Sequence, residues 1–203
     1  MKIICIGRNY AEHAAELNNE KPTKPIVFLK PDTSFLKNNS PFYHPAFSSN
    51  IHYECELVVR ICREGKHIEP KFAHKYYDQI GLGIDFTARD LQEELRTKGL
   101  PWELSKGFDH SAVVSHFIPK ENLPDLASIH FSFSQNGVQK QVGKSSDMIF
   151  GVDELIAFIS KFITLKTGDL IFTGTPSGVG KVEIGDLLEG YLEGEKMFEC
   201  EVR

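Results

Sequence analysis

Two glutamates, Glu54 and Glu56, stand two residues apart in the stretch IHYECELVVRI. The stretch alternates as a strand does, so both carboxylates leave on one face, and the other face takes Cys55, Leu57 and Val59. Two like charges at this spacing repel each other by about 1 kcal/mol in water, and by more when partly buried. Protonation of one carboxyl group, or a cation between the two, removes that repulsion. A solvent-facing edge strand with two ordinary acids is the alternative, and a third ligand is needed to decide.

Asp85 is the candidate for this third ligand. It ends the apolar run IGLGID and precedes FTARDLQ, which opens a helix. An acid at such a junction commonly caps the helix, but Thr87 can take that role and leave Asp85 for another. Three carboxylates without a histidine or cysteine partner form an all-oxygen set. Such a set prefers Mg²⁺, Mn²⁺ or Ca²⁺ and leaves coordination positions for water or substrate.

Length and composition restrict the class of protein. The 203 residues, 41% hydrophobic and 25% charged, are typical of a globular protein with a substantial core. The net charge of -5 gives no basic footprint, so no nucleic-acid partner is predicted. No apolar run reaches the length of a membrane span. The four cysteines form no CxxC pair, which predicts reduced thiols, no zinc site and a cytoplasmic protein.

Short strands dominate the predicted secondary structure. Strands are predicted at residues 2–6, 26–29, 51–62, 78–86, 129–135, 169–173, 187–193 and 196–202. Helices are predicted at residues 10–17, 87–98 and 152–161, the first of them capped by Asn9. The glycine-rich stretches GTPSGVGKV and GLGIDF fit neither a P-loop nor a dinucleotide fingerprint. Because strands and helices do not alternate as βαβ units, the chain is predicted to be one α+β domain over residues 1–203.

Seven blocks of the sequence resemble the fumarylacetoacetate hydrolase family, in particular its small single-domain branch of acylpyruvate hydrolases and oxaloacetate decarboxylases. The blocks are CIGRNYAEH, PIVFLKP, HYECELVV, GIDFTARDLQ, KGLPWELSKGFD, SSDMIF and LIFTGTPSGVG. The resemblance implies a mixed β-roll with a few flanking helices, and a homodimer. It also implies a bound Mg²⁺ or Mn²⁺, with Ca²⁺ as another candidate, and Glu54, Glu56 and Asp85 as the metal ligands.

A histidine and a glutamate lie three residues apart in the first predicted helix. This spacing puts His13 and Glu16 on one face, where they form either a surface pair or a functional one. A carboxylate beside an imidazole fixes the tautomer and raises the basicity of the other nitrogen, which suits a general base acting on water. The family uses an H-x-x-E dyad here on a mobile lid, so the resemblance implies that His13 and Glu16 are catalytic.

Five further positions match residues that the family places around its substrate. By spacing alone, Arg89 and Gln92 are typical of a solvated helix surface, Lys106 of a surface lysine, and Thr175 of a turn. The resemblance implies instead that they hold the substrate or stabilise negative charge on it. It assigns catalysis to Lys106, and substrate binding to Arg8, Arg89, Gln92 and Thr175.

The activity implied by the resemblance is hydrolysis of a carbon–carbon bond in an acylpyruvate, a 2,4-dioxo acid, to pyruvate and a carboxylic acid. Oxaloacetate decarboxylation is the first alternative, and isomerisation or hydration of unsaturated 2-oxo diacids in aromatic catabolism is the second. Decarboxylation and isomerisation remain open because both pass through the same stabilised enolate. A catalytically silent divalent-metal-binding protein is the non-enzyme alternative. Its signature would be loss of the dyad or of Lys106, and the sequence keeps both.

Overall fold

The computed structural model describes residues 1–16, 20–37 and 39–203, and leaves the side chains of residues 14–16 outside that description. Within these ranges the strands are β1 Ile3–Gly7, β2 Ile26–Lys30, β3 Phe35–Lys37, β4 Ile51–Tyr53, β5 Cys55–Ile61, β6 Tyr77–Asp85, β7 Thr87–Ala88, β8 Ala112–Pro119, β9 His130–Gln135, β10 Val138–Lys144, β11 Leu170–Phe172, β12 Gly180–Lys181, β13 Leu187–Leu192 and β14 Glu195–Glu201. The α-helices are α1 Ala11–Glu16, α2 Pro70–Ala73, α3 Arg89–Thr97, α4 Glu103–Lys106 and α5 Val152–Ser160. The prediction of a strand-dominated α+β chain is confirmed.

A mixed seven-stranded sheet forms the centre of the fold, in the order β2-β1-β11-β5-β6-β8-β3. β1 runs parallel to β11, and β3 runs parallel to β8. The other neighbours are antiparallel. The C-terminal ends of β1, β11 and β6 and the N-terminal end of β5 therefore meet at one end of the sheet.

This sheet curls into a half-barrel. Lys30 ends β2 at one edge, and its ammonium donates to the hydroxyl of Ser111 at 2.9 Å. Ser111 directly precedes β8, which stands five places away in the strand order. Strands are spaced by about 4.8 Å, so a flat sheet would hold these two residues much too far apart for a lysine to span. The curl thus forms the β-roll that the resemblance implies.

The two faces of the curled sheet have separate apolar clusters. The concave face packs Ile3, Val58 and Phe172 together. On the convex face, Leu57 and Leu82 join a larger core that also includes residues of a four-stranded antiparallel sheet, β10-β9-β13-β14, and of α5. Full burial of each large side chain contributes roughly 1.5–3 kcal/mol, so both clusters hold the curl in place.

Some local predictions are wrong. The continuous strand over residues 51–62 is interrupted at Glu54, between β4 and β5. Asn9, expected as a helix cap, does not directly precede α1, which begins at Ala11, and its side-chain oxygen accepts from the amide of Phe150 at 2.9 Å. Thr87 does not cap the following helix, because α3 begins after Ala88 and has no side-chain cap. The sequence patterns also miss β3, β7, β8, β10 and β12, and the one-turn helices α2 and α4.

In the described part of the chain the longest α-helices, α3 and α5, have nine residues each. None of the described helices has the length and apolar character needed to cross a membrane.

Candidate active site

Three acidic side chains meet at the end of the sheet where β5 begins and β6 ends. Glu54 directly precedes β5, Glu56 lies within it, and Asp85 is the last residue of β6. The two strands are antiparallel with Glu56 opposite Gly83, and the Asp85 amide donates to the Glu54 carbonyl at 2.8 Å. One oxygen from each carboxylate lies within 4.8 Å of the other two, and all three residues are buried.

The alternation expected for β5 is confirmed. Val58, which follows the two glutamates on the same face, belongs to the concave cluster. Cys55, Leu57 and Val59 belong to the core on the convex face. β5 is an internal strand, so the alternative of a solvent-facing edge strand does not apply to these acids.

The three acids fit a divalent metal ion. Two oxygens on opposite sides of Mg²⁺ lie about 4.2 Å apart, and on opposite sides of Ca²⁺ about 4.6–5.2 Å apart. The three oxygens lie within 4.8 Å of one another, which is close enough for one such ion to be held between them. The donor set is all oxygen, which suits hard cations and excludes the sulfur and imidazole chemistry of a structural zinc site. A divalent cation would also remove the repulsion between the like charges.

The Glu56 carboxylate is held by the turn that follows β11. The amide of Gly174 donates to its Oε2 at 2.7 Å. Burial, and next the charges of Asp85 and Glu54, raise the pKa of Glu56 well above its ordinary value. Gly174 has φ of 102°, and a Cβ there would lie 2.7 Å from the Cβ of Asn9, so the turn requires glycine. Burial and the two neighbouring charges thus favour the neutral form of this carboxyl, and a cation held by the three acids would favour the ionised form.

Two cations face Glu54. Arg89 donates from Nη2 to Oε1 at 2.6 Å, and Lys106 donates from Nζ to Oε2 at 2.7 Å. Lys106 also donates to Oδ2 of Asp85 at 2.8 Å. Burial alone would raise the pKa of Glu54, but Lys106 and Arg89 outweigh it and hold that pKa below its usual range. Burial likewise opposes the charge of Lys106, but Asp85 and Glu54 outweigh it, and the pKa of Lys106 is raised.

A second buried lysine, Lys30, contacts Asp85 and the backbone around it. Its Nζ lies 2.8 Å from Oδ1 of Asp85 and donates to the carbonyls of Phe86 and Ser111 at 3.2 and 3.1 Å. It also donates to the carbonyl of Lys106. Lys30 therefore joins the end of β6, the start of β8 and the end of α4, and so fixes Asp85 relative to Lys106. It stands in the block PIVFLKP without an assigned role. The sequence feature that could have identified Lys30 is a charged residue at the end of an otherwise apolar strand.

Replacing Lys30 by methionine is expected to destabilise the fold by about 3–5 kcal/mol, because it removes the buried cation that lies 2.8 Å from Oδ1 of the buried Asp85 carboxylate. Lys98→Met is the matched control. Lys98 pairs with Glu94 at 2.6 Å, but both side chains are more than half exposed, so its loss is expected to cost at most about 0.5 kcal/mol. Urea unfolding measures both variants. A loss for Lys30→Met as small as that of the control would contradict the supporting role.

A cavity of about 100 Å³ opens beside Glu54. The predicted residues Arg8, His13, Arg89, Gln92 and Lys106 all line it. These residues come from the end of β1, from α1, α3 and α4, and they are far apart in the sequence. The structure therefore brings most of the predicted site residues to one place, next to the acids.

The general-base candidate is only partly described. His13 is buried on α1, lines the cavity, and its charge is among the influences that lower the pKa of Glu54. Glu16 ends α1, but its side chain lies outside the described residues. The pairing of His13 with Glu16 therefore stays a prediction from the sequence.

Arg89 and Gln92 act as one unit. Nη1 of Arg89 donates to Oε1 of Gln92 at 2.6 Å, while Nη2 is taken by Glu54. The Nε atom of Arg89 is buried and has no hydrogen-bond acceptor among the described residues. Both terminal nitrogens of Arg89 are therefore oriented by side chains of the site, and the guanidinium is held in one direction beside the cavity.

Thr175 contacts the backbone at the start of β5 instead of the cavity. Its hydroxyl donates to the carbonyl of Cys55 at 2.8 Å and accepts from the amide nitrogen of Gln141 at 2.8 Å. Gln141 in turn accepts from the amide of Cys55 at 3.0 Å. Thr175 is not among the described residues that line the cavity, and its contacts fix the start of β5 between the two glutamates. A substrate contact of Thr175 stays a prediction, without support from this geometry.

Comparisons with known proteins agree with this architecture. The family model "Fumarylacetoacetate (FAA) hydrolase C-terminal" matches residues 2–203. The chain is 44% identical, over 95% of its length and 87% of the relative, to the mitochondrial oxaloacetate tautomerase FAHD1 of Rattus norvegicus. It is 45% identical, over 95% of its length and 89% of the relative, to the mitochondrial oxaloacetate decarboxylase of Dictyostelium discoideum.

A solved structure extends the likeness to the fold. The crystal structure of fumarylpyruvate hydrolase from Pseudomonas aeruginosa in complex with Mn²⁺ and pyruvate matches with a TM-score of 0.94 and 34% identity. The match covers 100% of this chain and 89% of that one. With the family model spanning nearly every residue, the chain belongs to the fumarylacetoacetate hydrolase family.

Proposed function

We propose that this chain is a divalent-metal-dependent enzyme that hydrolyses a carbon–carbon bond in acylpyruvates, giving pyruvate and a carboxylic acid. The observation that carries the proposal is the convergence of Glu54, Glu56 and Asp85 with Lys106 at the end of a cavity that His13 also lines. The relative solved with Mn²⁺ and pyruvate supports both the metal and the product class. Mg²⁺ or Mn²⁺ is proposed as the resident ion.

Different residues of the chain contact different groups of the substrate. A bound divalent ion, held by the three acids, supplies Lewis-acid polarisation of the 2-oxo acid. The guanidinium of Arg89, which lines the cavity, donates to the substrate's carboxylate, and Gln92 keeps the guanidinium in place. Lys106, a buried ammonium, donates to oxygen as negative charge develops on it. These donors are already fixed by Glu54 and Asp85, so they need no reorganisation during the reaction.

His13 takes the proton from water. The water oxygen bonds to the distal carbonyl carbon, the carbon–carbon bond breaks, and its electron pair leaves on the enolate of pyruvate. The proton held by His13 returns to that enolate carbon, so the sum is one acylpyruvate and one water converted to one carboxylic acid and one pyruvate. Glu16 is proposed to orient the imidazole for this step.

Oxaloacetate chemistry is the second candidate. The relatives named oxaloacetate tautomerase and oxaloacetate decarboxylase favour it, at higher identity than the fumarylpyruvate hydrolase. Decarboxylation breaks the bond to the distal carboxyl group and releases CO₂, and tautomerisation moves one proton. Both leave negative charge on the same oxygen that Lys106 would face, and neither consumes water. Isomerisation of unsaturated 2-oxo diacids is a third candidate by the same argument.

Three further predictions from the sequence stay predictions: a homodimer, a cytoplasmic location and a single catalytic domain over residues 1–203. Light scattering on the purified protein tests the first, and a strict monomer would contradict it.

A substrate panel tests the proposed function. The protein is assayed with Mn²⁺ or Mg²⁺ on acetylpyruvate, fumarylpyruvate, oxaloacetate and an unsaturated 2-oxo diacid, and kcat/KM is compared. The expected result is the highest kcat/KM on an acylpyruvate. A preference for oxaloacetate by tenfold or more would replace hydrolysis with the second candidate. No turnover of any substrate would support a silent metal-binding protein.

A further inference from the structure

The chain passes from one sheet to another between Glu54 and Glu56. β4 belongs to a three-stranded sheet, β12-β4-β7, and β5 belongs to the central seven-stranded sheet. Glu54 lies at this corner, outside both strands, whereas Glu56 lies within β5. A continuous strand ladder would fix the directions of both side chains, but here the strand is interrupted. The relative placement of the two carboxylates therefore depends on what holds Cys55, the residue between them.

Side chains hold both backbone groups of Cys55. Its amide donates to Oε1 of Gln141 at 3.0 Å, and its carbonyl accepts from the hydroxyl of Thr175 at 2.8 Å. β6 flanks β5 on one side, and on the other side the pairing with β11 ends at Val58. At Cys55, Gln141 and Thr175 therefore make the hydrogen bonds that a neighbouring strand would make.

Gln141 connects three segments of the chain through one carboxamide. Besides accepting from Cys55, it donates from its nitrogen to the hydroxyl of Thr175 at 2.8 Å and to the carbonyl of Pro176 at 2.9 Å. Its side chain is buried, although most of β10 is polar and exposed. The pairing of β10 with β9 skips Lys140, directly before it. Such a bulge re-aims the neighbouring side chains, and here it accompanies a glutamine that reaches the start of β5.

The same contacts reach both glutamates. Cys55 is the direct neighbour of Glu54 and Glu56, and Gly174, which directly precedes Thr175, donates its amide to Oε2 of Glu56 at 2.7 Å. Gln141 is not among the described residues that line the cavity. Its hydrogen bonds therefore act on the two acids, and the groups that would face the substrate lie elsewhere.

We infer that Gln141 is a positioning residue that fixes the spacing of Glu54 and Glu56, and so sets the affinity of the metal site and its preference for small cations. The inference rests on the metal site of the proposed function and on no step of the reaction. Mg²⁺ requires nearly ideal octahedral ligands at about 2.0–2.1 Å, whereas Ca²⁺ accepts variable geometry at about 2.3–2.6 Å. Firmly held glutamates favour the smaller ion, and loosely held ones lose that preference.

Gln141→Met tests this role, because methionine has a similar length but makes none of the three hydrogen bonds. The Kd for Mg²⁺ is expected to rise by about 10–100-fold, as is typical when a group that supports metal ligands is lost. The Kd for Ca²⁺ is expected to rise by less than about threefold. The kcat at saturating Mg²⁺ is expected to stay within about threefold of the wild type, because the loss lies in metal binding. Electron paramagnetic resonance of free Mn²⁺ measures binding without substrate, and displacement of Mn²⁺ gives the Kd for Mg²⁺ and Ca²⁺.

Gln135→Met is the matched control. Gln135 lies on the neighbouring strand β9, and its amide nitrogen donates to the carbonyl of Lys181 at 3.0 Å and to Oδ2 of Asp186 at 2.6 Å. It therefore also connects separate segments of the chain, but it contacts neither Cys55 nor the turn at Gly174. Its replacement is expected to lower the Tm and to leave the Kd for both ions unchanged.

A pair of variants at Thr175 keeps the test decisive if Gln141→Met does not fold. Thr175→Val removes the hydroxyl that bridges Gln141 and Cys55, and is expected to raise the Kd for Mg²⁺ more than the Kd for Ca²⁺. Thr175→Ser keeps the hydroxyl and is expected to retain the Kd values of the wild type. Since binding is measured without substrate, a contact of Thr175 with the substrate does not affect the result.

The outcomes separate this inference from the proposed function. A Kd for Mg²⁺ that stays at the wild-type value in Thr175→Val and in folded Gln141→Met would overturn the positioning role, and so would an equal rise in Gln135→Met. Equal rises for Mg²⁺ and Ca²⁺ would overturn the size preference. A wild type that binds Mn²⁺ but cleaves no acylpyruvate would overturn only the proposed reaction. A wild type that binds no Mn²⁺ would overturn both.

Discussion

Glu56→Gln is expected to abolish metal-dependent activity while leaving the fold intact. Glutamine has the same shape as glutamate, and its side-chain oxygen can still accept the hydrogen bond from Gly174. It removes one of three anionic ligands, however. Loss of a partner outside the ligand shell typically costs 10–100-fold in metal affinity or activity, so loss of a ligand is expected to cost at least about 100-fold. The measurement is kcat/KM during a Mn²⁺ titration.

Thermal stability gives an independent measure of the same site. A metal at about 100 times its Kd stabilises the native state by roughly 2.7 kcal/mol, so Mn²⁺ is expected to raise the Tm of the wild type. The metal-free Glu56→Gln variant is expected to be at least as stable as the wild type, because it has lost a buried carboxyl beside Asp85 and Glu54, whose charges raise its pKa. It should gain nothing from Mn²⁺.

Comparing Glu56→Gln with Glu54→Gln separates the loss of a metal ligand from the loss of an ion pair. Glu54 accepts hydrogen bonds from Arg89 and Lys106, so its neutralisation is expected to lower the stability of the metal-free protein as well as the activity. Glu94→Gln, on the exposed side of α3, is the control and should change neither. Full activity of the wild type after exhaustive chelation would contradict a metal-dependent mechanism.

The acids could be predicted from the sequence because strand periodicity is local. Glu54, Glu56 and Val58 share a face through nothing more than their spacing, and β5 keeps that pattern. Asp85 could be placed at a strand end by the apolar run before it. Lys30 could not be assigned in this way, because its partners meet only when the sheet curls and brings the end of β2 to the start of β8.

One strand that was not predicted, β10, follows a turn sequence that could have predicted it. β10 is mostly polar and exposed, so its hydrophobic pattern predicts no strand. The Asn136-Gly137 pair before it is nevertheless typical of a two-residue hairpin, and both residues have positive φ, at 55° and 73°. This turn directly joins β9 to β10, whose pairing is antiparallel. The short strands β7 and β12 have no such signal, because they form only where the chain passes β4.

The cavity wall shows a further limit of prediction from sequence. Arg96 and Trp102 have ordinary structural explanations in the sequence, one as a helix-surface charge and the other as a packing residue. Both line the cavity because α3 and the segment that leads into α4 fold over the end of the sheet. That placement depends on contacts between distant segments, such as the edge contact of Trp102 with Phe28.

His13→Ala is expected to separate the two leading chemistries. Hydrolysis needs an activated water, whereas decarboxylation needs none. General-base assistance contributes typically ~10²–10⁴-fold, so we expect kcat for acylpyruvate hydrolysis to fall by about that factor. Any oxaloacetate decarboxylation is expected to fall by less than about tenfold. The measurement is kcat for both substrates at saturating metal.

Three other variants define what the histidine does. Glu16→Gln is expected to follow the same pattern more mildly, because it weakens the base without deleting it. Lys106→Ala should depress both reactions, since both develop negative charge on the same oxygen. His116→Ala removes an exposed imidazole on β8 and should change neither. Equal losses in both reactions from His13→Ala would show that this residue closes the cavity over any substrate, and water activation would then need another residue.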